Sequence, residues 1–554
     1  MSTTVSIPGG TMRRAVFTLV LALTATAFAQ TAAECQQPRA IDKYQELRRL
    51  SLDLRGRIPD VTEYEALETE TAVPASVIRA YLGSDDFRLV MRRYHEELFW
   101  PNISNLALNN VNSQLTTAGN PPEVNSLSST GRRRTFRGVS DANTTHGLQC
   151  GDFQQTMFLP GGGFRPDPAG IRTTVVGTVT VRQEGWRMVT PYWSTTPIKV
   201  CAYDAQETET VTIGTGTAAR TLSCGHYETN GNIACGCGAG LKFCFGPTAA
   251  VRSVIASSAR EQLNLLVDRV STGGQPYTDL VLTRSVPVNG PLAHWKRDLA
   301  ANLSVNRIWS IPDPTEPAVA KPFSDTTWTT VDRGSDLHAG ALTSMAYLLR
   351  FQTNRARGNR YRVDFECESY VPPSRLEEPA ADNCSADSDD LTRRCTCRGC
   401  HRGLEPLSSH WGQFAEAGTS LLTDLTAWPR MRTNCVGSSN AICNRFYVTS
   451  NDADNKGALL PYQFADAQHP DITSALAGGP RKRVNESLAN GTFARCTVKR
   501  AWTSLMKRDM RISGAATDEL ATLESLSAGF KTNNYSLPWL VEQIVTQPQY
   551  RRVR

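Results

Sequence analysis

Residues 395–401 read Cys395-Thr396-Cys397-Arg398-Gly399-Cys400-His401 and contain Cys-x-x-Cys-His. That spacing suits one chemistry well. Two thiols separated by two residues reach the two vinyl groups of a porphyrin and hold it as thioethers, and the next His turns its imidazole to the iron. The expectation is one covalent haem c carried by Cys397 and Cys400, with His401 as the proximal iron ligand. Two other chemistries use the same atoms. A disulfide joins Cys397 to Cys400 or to a neighbour, or zinc takes a set drawn from Cys384, Cys395, Cys397, Cys400 and His401.

The sixth ligand decides what such an iron does. A Met or a second His closes it into an electron carrier, and an open position admits peroxide or oxygen. Met431, about 30 residues downstream in Trp428-Pro429-Arg430-Met431-Arg432, is the first candidate for the sixth position. His410, His469, Met506 and Met510 read as packing or surface residues, and Leu404 and Pro406 as walls for a porphyrin. An enzymatic role would therefore be that of a haem-dependent oxidoreductase.

The N-terminus reads as an export signal. Met12-Arg13-Arg14 is a basic start, Ala15 to Phe28 is an apolar stretch too short to span a bilayer, and Ala27-Phe28-Ala29 precedes a cleavage point before Gln30. No later run of 18 apolar residues follows, so no transmembrane helix is expected in the mature chain. Fifteen cysteines in an exported chain imply an oxidising compartment, where haem c is also attached. Two on the haem leave an odd number over. Local disulfides are expected between Cys435 and Cys443, and among Cys224, Cys235, Cys237 and Cys244.

The elements around the motif follow from periodicity. Leu47, Leu50 and Leu54 share a helical face that ends at Gly56, Thr62 reads as the cap of the next helix, and Ser84-Asp85-Asp86 as an acidic capped start. Ile255, Ala259, Leu263, Leu266 and Val270 form one stripe. Val498, Trp502, Leu505 and Met506 form another, and Leu537, Leu540, Val541, Ile544 and Val545 a third. Between 110 and 250 this period disappears. Val175, Gly177, Val179 and Val181 alternate as a strand does, as do Lys199–Tyr203 and Thr210–Ile213. The fold class is thus mainly α with a disulfide-rich β/loop insertion and a helical, cytochrome c-like haem region. The expected division is a signal peptide at 1–29, an N-terminal helical domain at 30–110, the insertion at 111–250, a central helical domain at 251–370, the haem region at 371–450 and a C-terminal helical domain at 451–554.

Composition excludes more than it assigns. A net charge of +6 spread over 554 residues is no nucleic-acid footprint, and no base- or phosphate-binding motif accompanies the clusters Arg132-Arg133-Arg134 and Arg481-Lys482-Arg483. No Gly-x-Ser-x-Gly elbow or His-Glu-x-x-His helix is present, and the glycines at 236–240 lack the Lys-Ser/Thr ending of a phosphate loop. Acidic redox proteins are the partners that the charge favours.

Separated segments, in order, resemble one family: the exported planctomycete-type cytochrome c multidomain proteins, whose domains are largely of unknown function. They are Leu47–Pro59, Gln275–Leu280 with Asn289–Ala293, His338–Thr343, Asn354–Tyr361, and Phe493–Val498 with the closing Leu540–Tyr550. Cys397-Arg-Gly-Cys-His-Arg-Gly-Leu-Glu-Pro406 is similar to that family's Cys-x-x-Cys-His-x-x-Leu-Asp/Glu-Pro. The resemblance covers about half the chain and departs from the family layout at 110–250. It implies electron transfer by a c-type cytochrome with redox partner proteins, in the periplasm or at the cell surface of a Gram-negative bacterium. The competing expectation is a non-redox secreted interaction protein in which the cysteine cluster is structural.

Overall fold

The computed structural model describes residues 39–553, except for stretches of which the longest are 127–151, 155–171, 301–316 and 370–383. The expected signal peptide at 1–29, Cys35, Arg132–Arg134 and most of the acidic linker before the motif lie outside the described residues. The protein is mainly helical, with 47% helix and little strand, as the periodicities require.

The chain opens with β1 (Arg39–Ala40), α1 (Lys43–Arg55), α2 (Val61–Glu65), α3 (Ala75–Leu82) and α4 (Asp85–Phe99). Asp42 caps α1 by accepting from Tyr44 N and Gln45 N, and Gly56, at φ 69°, closes it with a bond to Leu52 O. Leu47, Leu50 and Leu54 are buried, as their spacing predicts; burying a leucine contributes about 1.5–3 kcal/mol. Thr62 is not the cap of α2. Asp60 is, in a capping box with Glu63, because the carboxylate placed three residues before Glu63 completes the reciprocal pair. Ser84 accepts from Phe87 N at the start of α4, where the acidic start was expected.

The remaining elements follow in chain order. The insertion holds β2 (Leu115–Ala118), β3 (Glu123–Ser126), β4 (Arg172–Val176), β5 (Val179–Gln183), β6 (Trp186–Val189), β7 (Ile198–Cys201), β8 (Thr210–Ile213) and β9 (Arg220–Ser223). Then come α5 (Arg252–Ser271), α6 (Asp279–Leu282), β10 (Ser285–Val288), α7 (Gly290–His294), β11 (Thr329–Asp332), α8 (Met345–Arg350), α9 (Asn354–Tyr361), α10 (Arg398–Ser409), α11 (Ala441–Phe446), α12 (Pro470–Ala489), α13 (Thr492–Met506), α14 (Leu520–Thr532), α15 (Leu537–Val545) and β12 (Arg552–Val553).

Two compact units divide the chain. The first combines the residues up to Val90 with Val498–Asn533 and the chain from Pro538 on; the second holds Met91–Thr497 and Asn534–Leu537. In the first, β1 pairs antiparallel with β12 (Arg39↔Val553, Ala40↔Arg552). Arg49 donates to Tyr550 O at 2.7 Å and Tyr550 donates to Asp53 at 2.8 Å. Trp502, Leu505 and Met506, and Leu540, Val541, Ile544 and Val545, are buried as their stripes predict.

In the second unit the insertion forms a four-stranded sheet in the order β2-β3-β7-β6, with β4-β5 and β8-β9 as separate ribbons. The alternation at 175–181 is carried by two strands: Val175 faces Thr180 across the β4-β5 pair. Disulfides Cys224–Cys235 and Cys237–Cys244 hold the glycine-rich end. Cys237 and Cys244 pack with Leu115, Val200, Ala205 and Leu241 in a small core.

Around the motif the frame is helical. Helix α10 packs between α9 and α12. Gly358 of α9 makes the first contact possible, since a Cβ there would lie 2.9 Å from Leu407 Cγ and 3.1 Å from Leu407 O. Arg357, fully buried, fastens the chain after α10 to α8 and α9. It donates to Phe351 O at 2.9 Å, Leu348 O at 2.9 Å, Ala415 O at 3.0 Å and Gly418 O at 3.0 Å. Burial lowers its pKa to about 10, so it stays charged at neutral pH. A satellite core of Leu422, Trp428, Phe446, Tyr447 and Leu459 follows, closed by the disulfide Cys435–Cys443. Cys367–Cys496 ties the end of α9 to α13.

Candidate functional site

Cys-x-x-Cys-His falls on the first turn of α10. Cys397 occupies the N-cap position, and its carbonyl accepts from Cys400 N and from His401 N, both at 3.1 Å. Helical spacing puts residues 397, 400 and 401 on neighbouring positions of one face. Cys397 and Cys400 are both half-buried free thiols. Every other described cysteine is in a disulfide. Upstream, Cys384–Cys395 closes a small loop, with Ser385 bridging Arg394. The chain therefore enters α10 already pinned, two residues before the first open thiol. That disulfide removes two sulfurs from the zinc set, and among the described residues no three His, Cys, Asp or Glu side chains converge as a metal-binding group.

His401 is oriented by a residue for which sequence reasoning assigned no role. Its Nδ1 lies 2.5 Å from Glu405 Oε1, one helical turn on. A carboxylate can only accept, so Nδ1 carries a proton and, in the neutral ring, Nε2 holds the lone pair. The imidazole side chain is 21% exposed and Glu405's only 6%. Such a buried carboxylate needs compensation. Arg355 of α9 supplies it, with Nε 2.8 Å and a second guanidinium nitrogen 2.7 Å from Glu405 Oε1. Ser408 donates to Glu405 Oε2 at 3.4 Å. The i, i+4 spacing of His401 and Glu405 was a signal in the sequence; the 50-residue separation of Arg355 from Glu405 gave none.

Clefts flank α10 on two sides. One of about 810 Å³ is lined by Arg355, Glu405, Ser408 and the apolar Phe414, Phe446 and Phe464. The other, about 430 Å³, is lined by Pro406, His410, Arg362, Lys482, Arg483 and Glu486. His410 does not continue the helix face of His401. It caps α10, is buried, and its Nδ1 sits 2.9 Å from Gly479 O, where α12 kinks at φ 61°. Burial lowers its pKa to about 4, leaving it neutral and a donor to that carbonyl. His469 Nε2 faces the Thr392 hydroxyl at 3.0 Å and Asp390 at 3.6 Å. Met431 is 55% exposed, its backbone bridging Ala458, and neither cleft includes it. Met506 and Met510 are buried in the other unit.

His95 is fully buried between Met91 O at 2.7 Å and the Tyr277 hydroxyl at 3.1 Å, with a pKa lowered to about 4 by burial. It is a packing histidine. No family model, curated protein or solved structure matches this chain.

Proposed function

We propose that this protein is an exported c-type cytochrome, with one haem bound covalently through Cys397 and Cys400 and ligated by His401. It passes single electrons between redox partner proteins in the periplasm or at the cell surface of a Gram-negative bacterium. The observation that carries the reading is the pairing of cysteines. In a chain whose other described cysteines are cross-linked, Cys397 and Cys400 alone are open, and they are the two that the attachment motif requires. The ordered segments similar to planctomycete-type cytochromes support it further, and among the described residues no helix is long and apolar enough to cross a membrane.

The donor set fits the group. Two unpaired sulfurs stand three residues apart on one helical face, and the next residue is an imidazole whose Nε2 is left free by the bond at Nδ1. Bound there, a haem supplies a reversible one-electron couple at iron. The work of the chain is positional. Cys397 and Cys400 would hold the porphyrin, His401 would present Nε2, Glu405 bonds to Nδ1, and Arg355 pairs with Glu405 in its buried place.

The test is the reduced pyridine haemochrome spectrum of protein purified from a host with cytochrome c maturation. A covalent haem band is expected, and Cys397→Ala with Cys400→Ala removes it. A chain without the band, or a band that survives both substitutions, overturns the proposal and leaves the secreted, disulfide-rich interaction protein as the reading. A carbon monoxide shift of the reduced Soret band marks an open or weakly held sixth position.

A further inference from the structure

Glu405 is buried, touches the imidazole at Nδ1, the nitrogen other than the one proposed to bind iron, and shares its contacting oxygen with Arg355. A neutral carbonyl at that place would orient the ring equally well. A carboxylate adds negative charge along the hydrogen bond, which makes the opposite nitrogen a stronger donor to a metal. We infer that Glu405 is a positioning residue that gives His401 imidazolate character, and that Arg355 moderates it, so that the pair sets the iron couple of this protein at a low potential.

The inference rests on the haem reading and deepens it. A strongly donating imidazole stabilises Fe(III) more than Fe(II), because the higher charge gains more from the added electron density. Removing the negative charge therefore raises the potential. Arg355 acts in the opposite sense. Its guanidinium lies 2.7 Å from the same Glu405 oxygen that the imidazole uses, so it draws charge from the bond, and its removal leaves more on the ring and lowers the potential. A merely structural network does not behave this way: damage to a fold moves both variants in the same direction.

The experiment uses the haem-loaded full chain and the variants Glu405→Gln, Glu405→Asp, Glu405→Leu and Arg355→Gln. Covalent haem is confirmed first by haemochrome spectrum, and the midpoint potential is then measured by spectroelectrochemical titration with mediators. Glu405→Gln keeps a hydrogen-bond acceptor and loses the charge. It is expected to shift the Fe(III)/Fe(II) equilibrium about tenfold toward Fe(II), about 59 mV upward for one electron. Glu405→Asp is expected to lie between it and the unsubstituted protein, and Arg355→Gln to shift the other way. In the ¹⁵N spectrum of haem-free protein, His401 is expected as the Nδ1–H tautomer, and Glu405→Leu to release it. A Glu405→Gln potential within twofold of the unsubstituted equilibrium, with haem intact, overturns this inference and leaves the haem reading standing. So do shifts of one sign in Glu405→Gln and Arg355→Gln. A chain that carries no covalent haem overturns both. Should Glu405→Leu fail to fold, the near-isosteric Glu405→Gln decides alone.

Discussion

Two cysteine-rich regions of one unit use the same atom in opposite ways. At the end of the insertion, Cys224, Cys235, Cys237 and Cys244 close two short loops and vanish into small cores at 0% exposure. At 384–400 the first two cysteines also pair, and the next two remain as thiols on a helix. Local backbone accounts for the difference. The insertion follows loops rich in glycine, where Gly238 at φ 71° and Gly240 at φ 61° let the chain double back and bring sulfurs together. Around Cys397 the chain is turning into α10, and helical order carries two sulfurs three residues apart along one face. Cross-links thus close loops into small cores in one region, and in the other a single cross-link stands two residues before thiols that stay open.

The sharpest way to break this comparison is to exchange the outcomes. Cys397→Ala with Cys400→Ala is expected to abolish covalent haem and leave the urea midpoint of haem-free protein nearly unmoved. Cys224→Ala with Cys235→Ala is expected to keep the haem and lower stability by about 3 kcal/mol, from the entropy that its 11-residue separation restricts in the unfolded chain. Among the disulfides whose two cysteines are both described, the longest loop is Cys367–Cys496 with a separation of 129, and opening it should cost more, about 5 kcal/mol on the same account. Haem loss in the insertion variant, or a large stability loss in the thiol variant, would show that the two regions are not distinct.

Arg357 sharpens it next. Its guanidinium donates to five main-chain carbonyls, the fifth being Phe414 O at 3.4 Å, without a carboxylate partner among those bonds. Arg357→Met leaves them buried and unpaired, and is expected to cost about 3 kcal/mol in chemical denaturation. The loss should fall on the frame of α10 and not on the insertion, which hydrogen exchange resolves.

Acid comes third. His95 and His410 are held neutral with folded pKa values of about 4, below the ordinary 6.5. The unfolded chain protonates them first, so their contribution is fully present above about pH 6.5 and is lost as the pH falls from there toward 4, by up to about 3 kcal/mol each. Urea melts at pH 8, 6.5 and 5 should show the decline, and His95→Gln should flatten it. Met431→Leu has the smallest expected effect, under about 0.5 kcal/mol, because the side chain is half exposed. Loss of a sulfur-to-iron charge-transfer band in the oxidised variant would identify Met431 as the sixth ligand.

Much of this frame was legible because it is local. The attachment motif, the leucine stripe of α1, the Ser84 cap and the pair Cys435–Cys443 each fit within a dozen residues. Asp60 displaced Thr62 as a cap because a capping box is decided by the side chain three residues on, which a single polar residue does not announce. The Arg355–Glu405 pair and the pairing of β1 with β12 depend on tertiary packing, which no periodicity encodes. Glu405 lies between these cases: its spacing from His401 was visible, and the charge that made it necessary came from another helix.

The pinned entry to α10 has a chemical consequence for how the protein matures. A thiolate two residues from a disulfide is a resident nucleophile, able to attack Cys395 and hand the bond along the chain. On the proposed haem reading, thioether formation on Cys397 and Cys400 would end that exchange for good. On the proposed reading, the porphyrin acts as a protecting group: haem-free chains should scramble their disulfide map with time, and loading should freeze it in its native register.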